Sequence, residues 1–588
     1  MFKKLVLFIL PMMAASCLEY AVHFIGLNDT EALKTVKSAS FLTTLKKQAP
    51  TSLNALRFRA ESDIPAMIKA LHSHGYYDAK VEVRIQEEDE VQIFVMILPG
   101  PAYLLSAFQI DVFSEGHPFL CQSLGPQNLG IELGKPAVSV QILDAEEKAL
   151  ALLGECGHPL AKIESQEMVA DYKTKTFAVH LKIDAGPLVK FGATVIEGSR
   201  HVKNKLFENK ISWKEGDPYD TRLIDKTQQK LLDTGLFTSI VIAHDVEPGS
   251  NKELGMRIDA TETKHRSINI GASYETFFGP GLTFGWENRN VAGLGRKLSL
   301  QGDVTAHSHT GTGIFFVPDF WKIDQDFVAQ AQALQESILA YNEQSYSATT
   351  RVERRIGTKY RISMGVKSER LYVKKSVHNG TFTLLEFPLY FRWSSADHLL
   401  HPTRGATLEF KTIPSFNFSE DEWFYLYNSV VYRNYFTVIG KDFLVLAQQV
   451  MADSIVSTDL AAVPVPKRIL GGSDEDLRGY RYHSVSPFHG RKPIGGRSGI
   501  FYTFETRFRI SKTIGLVPFF DMGSVYLTPW PKLDEKWFKS AGLGFRYFSF
   551  LGPMRLDVAF PLDRRKFPHR HKHVDPIYRV LFSIGQTF

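Results

Sequence analysis

What this chain of 588 residues lacks narrows its identity first. It holds no run of about 18 apolar residues, so it encodes no ordinary transmembrane helix. It has no strong charge excess. Its 69 Lys and Arg face 63 Asp and Glu, and a net +6 over this length argues little for nucleic acid as a partner. Cysteine is scarce: Cys17, Cys121 and Cys156 only. An oxidising compartment permits a Cys121–Cys156 disulfide, but sequence cannot set their Cα separation, and two ordinary buried thiols are expected. No Ser/His/Asp order, phosphate loop or paired-carboxylate context stands out, so neither an enzyme nor a cofactor is expected. The run His569-Arg-His-Lys-His573 places cations among its histidines, which opposes a divalent ion; a basic loop tip fits it better, and a merely solvated loop better still.

Several features are present in strength. Residues 1–17 read as a secretory signal peptide: Lys3-Lys4, an apolar core from Leu5 to Ala15, then small residues. Cys17 follows them directly, in a loose likeness of a lipid-attachment box with Ala14 where Leu is usual. Aromatics make up 12% of the chain, a level that suits the girdles of outer-membrane barrels.

The stretch from about 20 to 263 repeats one pattern three times. In the first copy Ile64, Met67, Ile68 and Leu71 form one apolar helical face. Gly75 ends that helix, two alternating strands follow (Val81–Ile85 and Val91–Ile97), and Pro99-Gly100-Pro101 closes the unit. Leu150 and Leu153 before Gly157, and Ile224 and Leu231 before Gly235, restate it. Opening strands are expected at Val22–Phe24, Phe108–Ile110 and Thr194–Ile196, so each unit reads strand–helix–helix–strand–strand.

From His265 onward helical spacing gives way to a period of two. Ile268, Ile270, Ala272 and Tyr274 oppose Ser267, Asn269, Gly271 and Ser273. Leu385, Phe387, Leu389, Phe391 and Trp393 oppose Glu386, Tyr390, Arg392 and Ser394. Met554, Leu556, Val558 and Phe560 oppose Arg555, Asp557 and Ala559. One face suits lipid and the other a wet lumen. Tight turns are expected at Gly357-Thr358, Gly440-Lys441, Ser511-Lys512 and Gly552-Pro553. Longer loops are expected at Lys374–Gly380, Pro414–Glu422, Thr528–Lys536 and Asp563–Pro576, and a longer periplasmic connection at Asp397–Gly405. About 16 antiparallel strands fit, an even number within the known range. The chain stops on an alternating strand, Tyr578 to Phe588, as a barrel can whose last strand pairs with its first.

The longest loop, about Leu460 to Arg497, contains Gly471-Gly-Ser-Asp-Glu-Asp-Leu-Arg478-Gly479-Tyr480, and Phe519-Phe-Asp521-Met-Gly523 lies on the second strand after it. An arginine fork can engage a carboxylate bidentately, so Arg478 is expected on Asp521, with Glu505 as a second acceptor. Gly479 is expected to allow a tight turn and Tyr480 to supply a stiff ring for the wall.

The three units resemble POTRA domains, and the loop motif resembles the Arg-Gly-Tyr/Phe signature of the POTRA-barrel outer-membrane assembly superfamily. Three repeats with this barrel most resemble its TamA family. The resemblance implies α+β POTRA repeats at 20–101, 102–188 and 189–263, followed by a 16-stranded antiparallel transmembrane β-barrel at 265–588. It implies location in the bacterial outer membrane with the repeats in the periplasm. The implied function is insertion or translocation of β-barrel and autotransporter proteins. Implied partners are unfolded outer-membrane proteins, a TamB-like inner-membrane-anchored protein docking on the first repeat, and outer-membrane lipid, which a short apolar band would thin. The mechanism expected is a lateral gate where the first and last strands meet, with Ile268, Ile270, Gly271, Ala272, Phe582, Ile584, Gly585 and Phe588 at the seam. Repeat strands such as Val91–Ile97 are expected to offer open edges to unfolded segments. An export pore of the two-partner-secretion type and a passive porin are the alternatives.

Overall fold

We describe a computed structural model covering all residues except 1–17, 49, 88–90, 115–123, 250, 276, 399–400, 420–423, 441, 550–551, 568–571 and 585–588. The expected signal peptide with Cys17, Cys121, His569 and His571, Gly585 and Phe588 therefore lie outside the described residues, while Gly552-Pro553, expected as a tight turn, instead opens a strand. The chain forms two compact units, Met1–Gly198 with Phe207–Asp233 and Ser239–Thr261, and Ser199–Leu206 with Thr234–Thr238 and Glu262–Phe588.

The N-terminal part carries three small sheets. The first holds β1 (Tyr20–Ile25), β2 (Lys80–Glu87) and β3 (Val91–Leu98), with α1 (Thr30–Ala39), α2 (Phe41–Thr44) and α3 (Leu53–His72) between β1 and β2. The second holds β4 (Leu104–Phe113), β5 (Lys162–Asp171) and β6 (Thr176–Asp184), with α4 (Ser139–Glu155). The third holds β7 (Lys190–Glu197), β8 (Phe237–His244) and β9 (Glu253–Glu262), with α5 (Asn204–Lys210) and α6 (Thr221–Leu232). Their strand orders are β1-β3-β2, β4-β6-β5 and β7-β9-β8. The last strand of each unit thus runs down the middle, parallel to the first. Val91–Ile97 is consequently no open edge, because β3 is paired on both sides; the edges are β1 and β2.

Local chemistry fixes these elements. Asp29, Ser52 and Asp220 accept hydrogen bonds from the first turns of α1, α3 and α6, satisfying donors that a helix start leaves orphaned. Asp63, buried in α3, does the same across space, accepting from Ser40 Oγ at 2.6 Å and Leu42 N at 2.8 Å at the start of α2. Gly75, Gly157 and Gly235 follow the helices at positive φ. Helix and sheet meet in dry cores: Val36, Leu56, Met67 and Leu71 pack on Ile93, Val95 and Ile97 in the first domain. Cys156 is disulfide-bonded, which corrects the expectation of a free thiol and fits an oxidising compartment.

The C-terminal part is one large antiparallel sheet. In order along it lie β10 (Arg266–Glu275), β11 (Gly279–Val291), β12 (Arg296–Thr305), β13 (Ser308–Val317), β14 (Gln325–Ser337), β15 (Asn342–Ile356) and β16 (Tyr360–Lys374). Then come β17 (Gly380–Glu386), β18 (Leu389–Ser394), β19 (Gly405–Asn417), β20 (Phe424–Ile439) and β21 (Leu444–Ser457). The long loop after β21 carries a two-residue ribbon, β22 (Phe488–His489) with β23 (Lys492–Pro493). The sheet resumes with β24 (Ser498–Arg509), β25 (Ile514–Tyr526), β26 (Phe538–Ser549), β27 (Gly552–Pro561) and β28 (Arg579–Ile584). Side chains alternate as expected: Leu556 and Phe560 are exposed while Arg555, Asp557 and Ala559 are buried.

Two expectations need correction. The stretch Leu385–Trp393 is not one continuous strand. Phe387-Pro388 breaks it into β17 and β18, which lie end to end along both β16 and β19, because proline has no N–H for the ladder. Pro414 does not open a loop; it lies within β19 opposite Leu426, and its carbonyl accepts from Phe387 N at 2.9 Å.

Candidate functional site: a loop tip held by five strands

Register places the acidic residues. β24 and β25 pair so that Phe501 faces Gly523, Thr503 faces Asp521 and Glu505 faces Phe519. A period of two puts these six residues on one face of the sheet. The loop brings Arg478 down onto that face, where it is 1% exposed. Its Nη2 lies 2.7 Å from Asp521 Oδ1 and its Nε 3.1 Å from Asp521 Oδ2. Its Nη1 reaches Glu505 Oε1 at 2.8 Å and Asp557 Oδ2 at 3.2 Å. The guanidinium also stacks on Phe519, 3.5 Å from the ring centroid, where the ring quadrupole favours a cation.

Three carboxylates around one arginine would repel one another if left alone. Further cations answer them. Arg507 Nε donates to Glu505 Oε2 at 2.9 Å, Arg555 Nε donates to Asp557 Oδ2 at 2.7 Å, and Arg546 pairs with Asp557 as well. Ser540 Oγ on β26 donates to Asp521 Oδ2 at 3.0 Å. Buried charges persist only when paired and hydrogen-bonded, and here every carboxylate has more than one donor.

Around this centre the loop packs as a small core. Leu477, Tyr480, Val485 and Ile469 bury against Tyr425, Ile455, Phe501 and Val525. Tyr480 Oη donates to Lys539 O at 2.9 Å, and its ring meets Phe538 edge-on. Gly479 lies in the expected tight turn, closed by Tyr480 N donating to Leu477 O at 3.0 Å, and it is also pressed from outside. A Cβ there would lie 2.7 Å from Pro561 N and 2.8 Å from Phe560 C, so it is the approach to the β27 backbone that excludes a side chain. Gly523 serves the same end on the wall, since a Cβ would strike the Phe501 ring at 2.5 Å.

The last strand holds the loop from its other side. Arg579 Nη1 donates to Arg478 O at 3.1 Å and Tyr480 O at 2.5 Å, and its Nη2 lies 3.4 Å from Asp474 Oδ1. Five consecutive strands, β24 to β28, thus contact Arg478–Tyr480. A second attachment lies at the loop's base. Lys467 Nζ sits 2.5 Å from Glu369 Oε2 on β16, and Lys367 bridges Glu369 and Glu386 at 2.9 Å and 3.2 Å.

Of the residues singled out in the sequence, Arg478, Gly479, Tyr480, Glu505, Asp521 and Gly523 meet in one place. Ile268, Ile270, Gly271 and Ala272 sit exposed on β10, and Phe582 and Ile584 sit on β28. Asp557, Arg546, Arg555, Arg579 and Lys467 were missed. Alternation does set Asp557 on the polar face of its strand, which was the available signal. Before β10, Glu262 accepts from the backbone N–H groups of Arg200, His201 and Val202 at 2.8–3.0 Å and from the His201 ring. Burial alone would raise its pKa, but these donors outweigh it and hold the carboxyl down at about 2.

Residues 290–588, just over half the chain, match the model of the Omp85 superfamily domain. The chain belongs to the Omp85 superfamily. Residues 189–264 match the POTRA model described as a surface antigen variable number repeat. The chain is 22% identical over 558 residues to the outer membrane protein assembly factor BamA of Nitratidesulfovibrio vulgaris, an alignment covering 90% of this chain and 68% of that protein. It is 21% identical to the BamA of Neisseria meningitidis serogroup B, over 74% of this chain and 61% of that one. The crystal structure of BamA from Haemophilus ducreyi lacking POTRA domains 1-3 superposes with a TM-score of 0.69 at 18% identity, over 82% of this chain and 99% of that one. That likeness shows the fold: POTRA domains followed by a large antiparallel sheet of the barrel type. This Omp85 chain is an outer-membrane protein whose POTRA domains lie in the periplasm.

Proposed function

We propose that this Omp85 protein assists the insertion of β-barrel or autotransporter proteins into the outer membrane, as a TamA-type factor with three POTRA domains at 20–101, 102–188 and 189–263. In this reading the sheet closes into a barrel of 16 staves, β17 and β18 together making one. The names of its BamA relatives, outer membrane protein assembly factors, support the class of activity, and the three repeats favour the TamA arrangement within it.

The observation that carries the mechanism is the state of β10. Among the described residues it has a hydrogen-bonded partner on one side only, β11, while it touches β28 on the other. Both its apolar residues (Ile268, Ile270) and its polar ones (Asn269, Gly271) are exposed. An unpaired strand edge templates another strand, and in hydrocarbon its free N–H and C=O groups are costly enough to demand one. A substrate hairpin pairing there during seam opening would satisfy both. Open POTRA edges offer a first contact by strand addition, and β5, exposed along nearly its whole length, is the best placed. A TamB-like protein on the first repeat would complete the path. Arg478 and its carboxylates would meanwhile keep the lumen stoppered. Ion pairing and strand exchange need no nucleotide or cofactor, which fits a factor that is no enzyme.

The test is twofold. A disulfide engineered between β10 and β28 should abolish substrate insertion and reduction should restore it; undiminished insertion with the seam locked refutes the gate. A membrane-protein inventory after depletion should show many barrels reduced. Loss of a single secreted protein would place the chain among export pores instead.

A further inference from the structure

The loop tip touches both sides of the seam. On one side Arg579 of the last strand grips the carbonyls of Arg478 and Tyr480. On the other, Tyr482 stacks on Phe277 with ring centroids 4.4 Å apart and meets Phe278 edge-on at 5.2 Å. Both phenylalanines belong to the turn between β10 and β11. His307, ahead of β13, also stacks on Phe277, with ring centroids 5.1 Å apart. Only Arg481 therefore separates a contact with the last strand from a contact with the first hairpin.

We infer that the segment Arg478–Tyr482 is a clasp across the seam, with Arg579 and Tyr482 as the positioning residues that couple the pinned loop to the two gate strands. The inference rests on the seam reading above and adds to it the element that controls opening. β28 cannot leave β10 while Arg579 holds Tyr480 O and Tyr482 stays on Phe277; one of these contacts breaks, or the loop moves with the strand. Opening then depends on the loop, since Arg478 fixes the clasp to β24, β25 and β27. The two contacts differ in kind. A buried guanidinium on two carbonyls is directional and strong, whereas an aromatic stack of this sort contributes on the order of 1 kcal/mol. The Tyr482 side releases first.

The experiment uses the full chain in lipid nanodiscs with spin labels at Ser273 on β10 and Val580 on β28, and reads the distance distribution across the seam. Heat-modifiable gel mobility confirms a folded barrel for each variant. Y482A should raise the separated population at least threefold, and R579A more. R478A should raise it in the wild-type background and add little in R579A, because the loop then no longer reaches β28. If R478A opens the seam equally in both backgrounds, or if Y482A and R579A leave the distances unchanged, the clasp is refuted. Should R579A fail to fold, R579Q, which keeps two donors but loses the fork, takes its place with the same criteria. The readout needs no substrate. A clasp that holds in a protein whose depletion spares other barrels would sink the assembly function and leave the clasp standing, and the reverse result would do the opposite.

Discussion

At one end of the large sheet β24–β28 bury Glu505, Asp521 and Asp557 beneath Arg478. At the other, the corresponding face of β10–β12 carries Ser267, Asn269, Gly271 and Ser273 across from Glu287, Gly285, Thr283 and Gly281, with Ser299, Gln301 and Asp303 beyond. The two ends share one alternation, one antiparallel ladder and one spacing. They differ in what they give the loop to hold. The acidic end offers Asp521, a buried charge whose cation comes from the loop, so for that group burial and binding become the same event. The polar end asks nothing of the loop: Glu287 is met by Arg289 and Lys297, and Asp303 by Thr283 and Gln301, all from β11 and β12. On the proposed gate, such a sheet would be stiff where its loop is anchored and loose at the first strand, with the last strand on the stiff side.

The largest effect should come from R478A. It leaves the buried Asp521 without the cation that pairs with it, since Arg507, Arg546 and Arg555 serve Glu505 and Asp557, and breaking a buried pair costs about 3–5 kcal/mol. Urea titration of the folded barrel should show that loss, and single-channel recordings should show a larger, steadier conductance as the loop withdraws. R478K should recover only part of either, because an ammonium cannot span Asp521 and Glu505 as the fork does. If R478A unfolds at the wild-type midpoint, the two ends are not energetically distinct.

G479A comes next and isolates fit from charge. The added methyl collides with backbone at Pro561 and Phe560, and backbone cannot rotate away as a side chain can. Such overpacking costs about 1–3 kcal/mol. The expected outcome is a loop displaced from β27, seen as protease sensitivity within 471–485, while the charges themselves are unaltered. Full protection of that segment in G479A would mean that the approach is less tight than described.

How far the sequence announced this arrangement depends on the kind of signal. Arg478, Asp521 and Glu505 were legible because a motif and a strand period both pointed at them. Asp557 was legible only as a polar residue on the correct face; nothing along the chain says that β27, two strands on from β25, still comes within reach of the arginine. Arg579 and Lys467 were invisible for the same reason, since their partners are distant in sequence. The turn at Gly479 was legible from a glycine next to a motif arginine, whereas the pressure on it from the backbone of another strand was not. Strand order in the POTRA sheets failed similarly. Alternation identifies β3 as a strand but cannot tell a central strand from an edge when the connection is a crossover through helices.

The smallest effect tests the loose end against the stiff one with matched changes. Thr283 Oγ1 donates to Asp303 Oδ1 at 2.7 Å on β11 and β12, and Ser540 Oγ donates to Asp521 Oδ2 at 3.0 Å on β26 and β25. Each is a hydroxyl on a carboxylate between neighbouring strands. In T283V the Asp303 carboxylate keeps Gln301 Nε2, at 3.0 Å and 3.2 Å from its two oxygens, and is open enough to take up water. The cost should stay below about 1 kcal/mol. In S540A the donor is lost from a carboxylate that water does not reach, and a hydrogen bond to a buried charge is worth about 1.5–3 kcal/mol. Measured side by side in the same lipid, the two should differ by at least the width of that gap. Equal costs would mean that Asp303 is as dry as Asp521, and the contrast between a stoppered wall and a releasable one would then have to be sought in the loop alone.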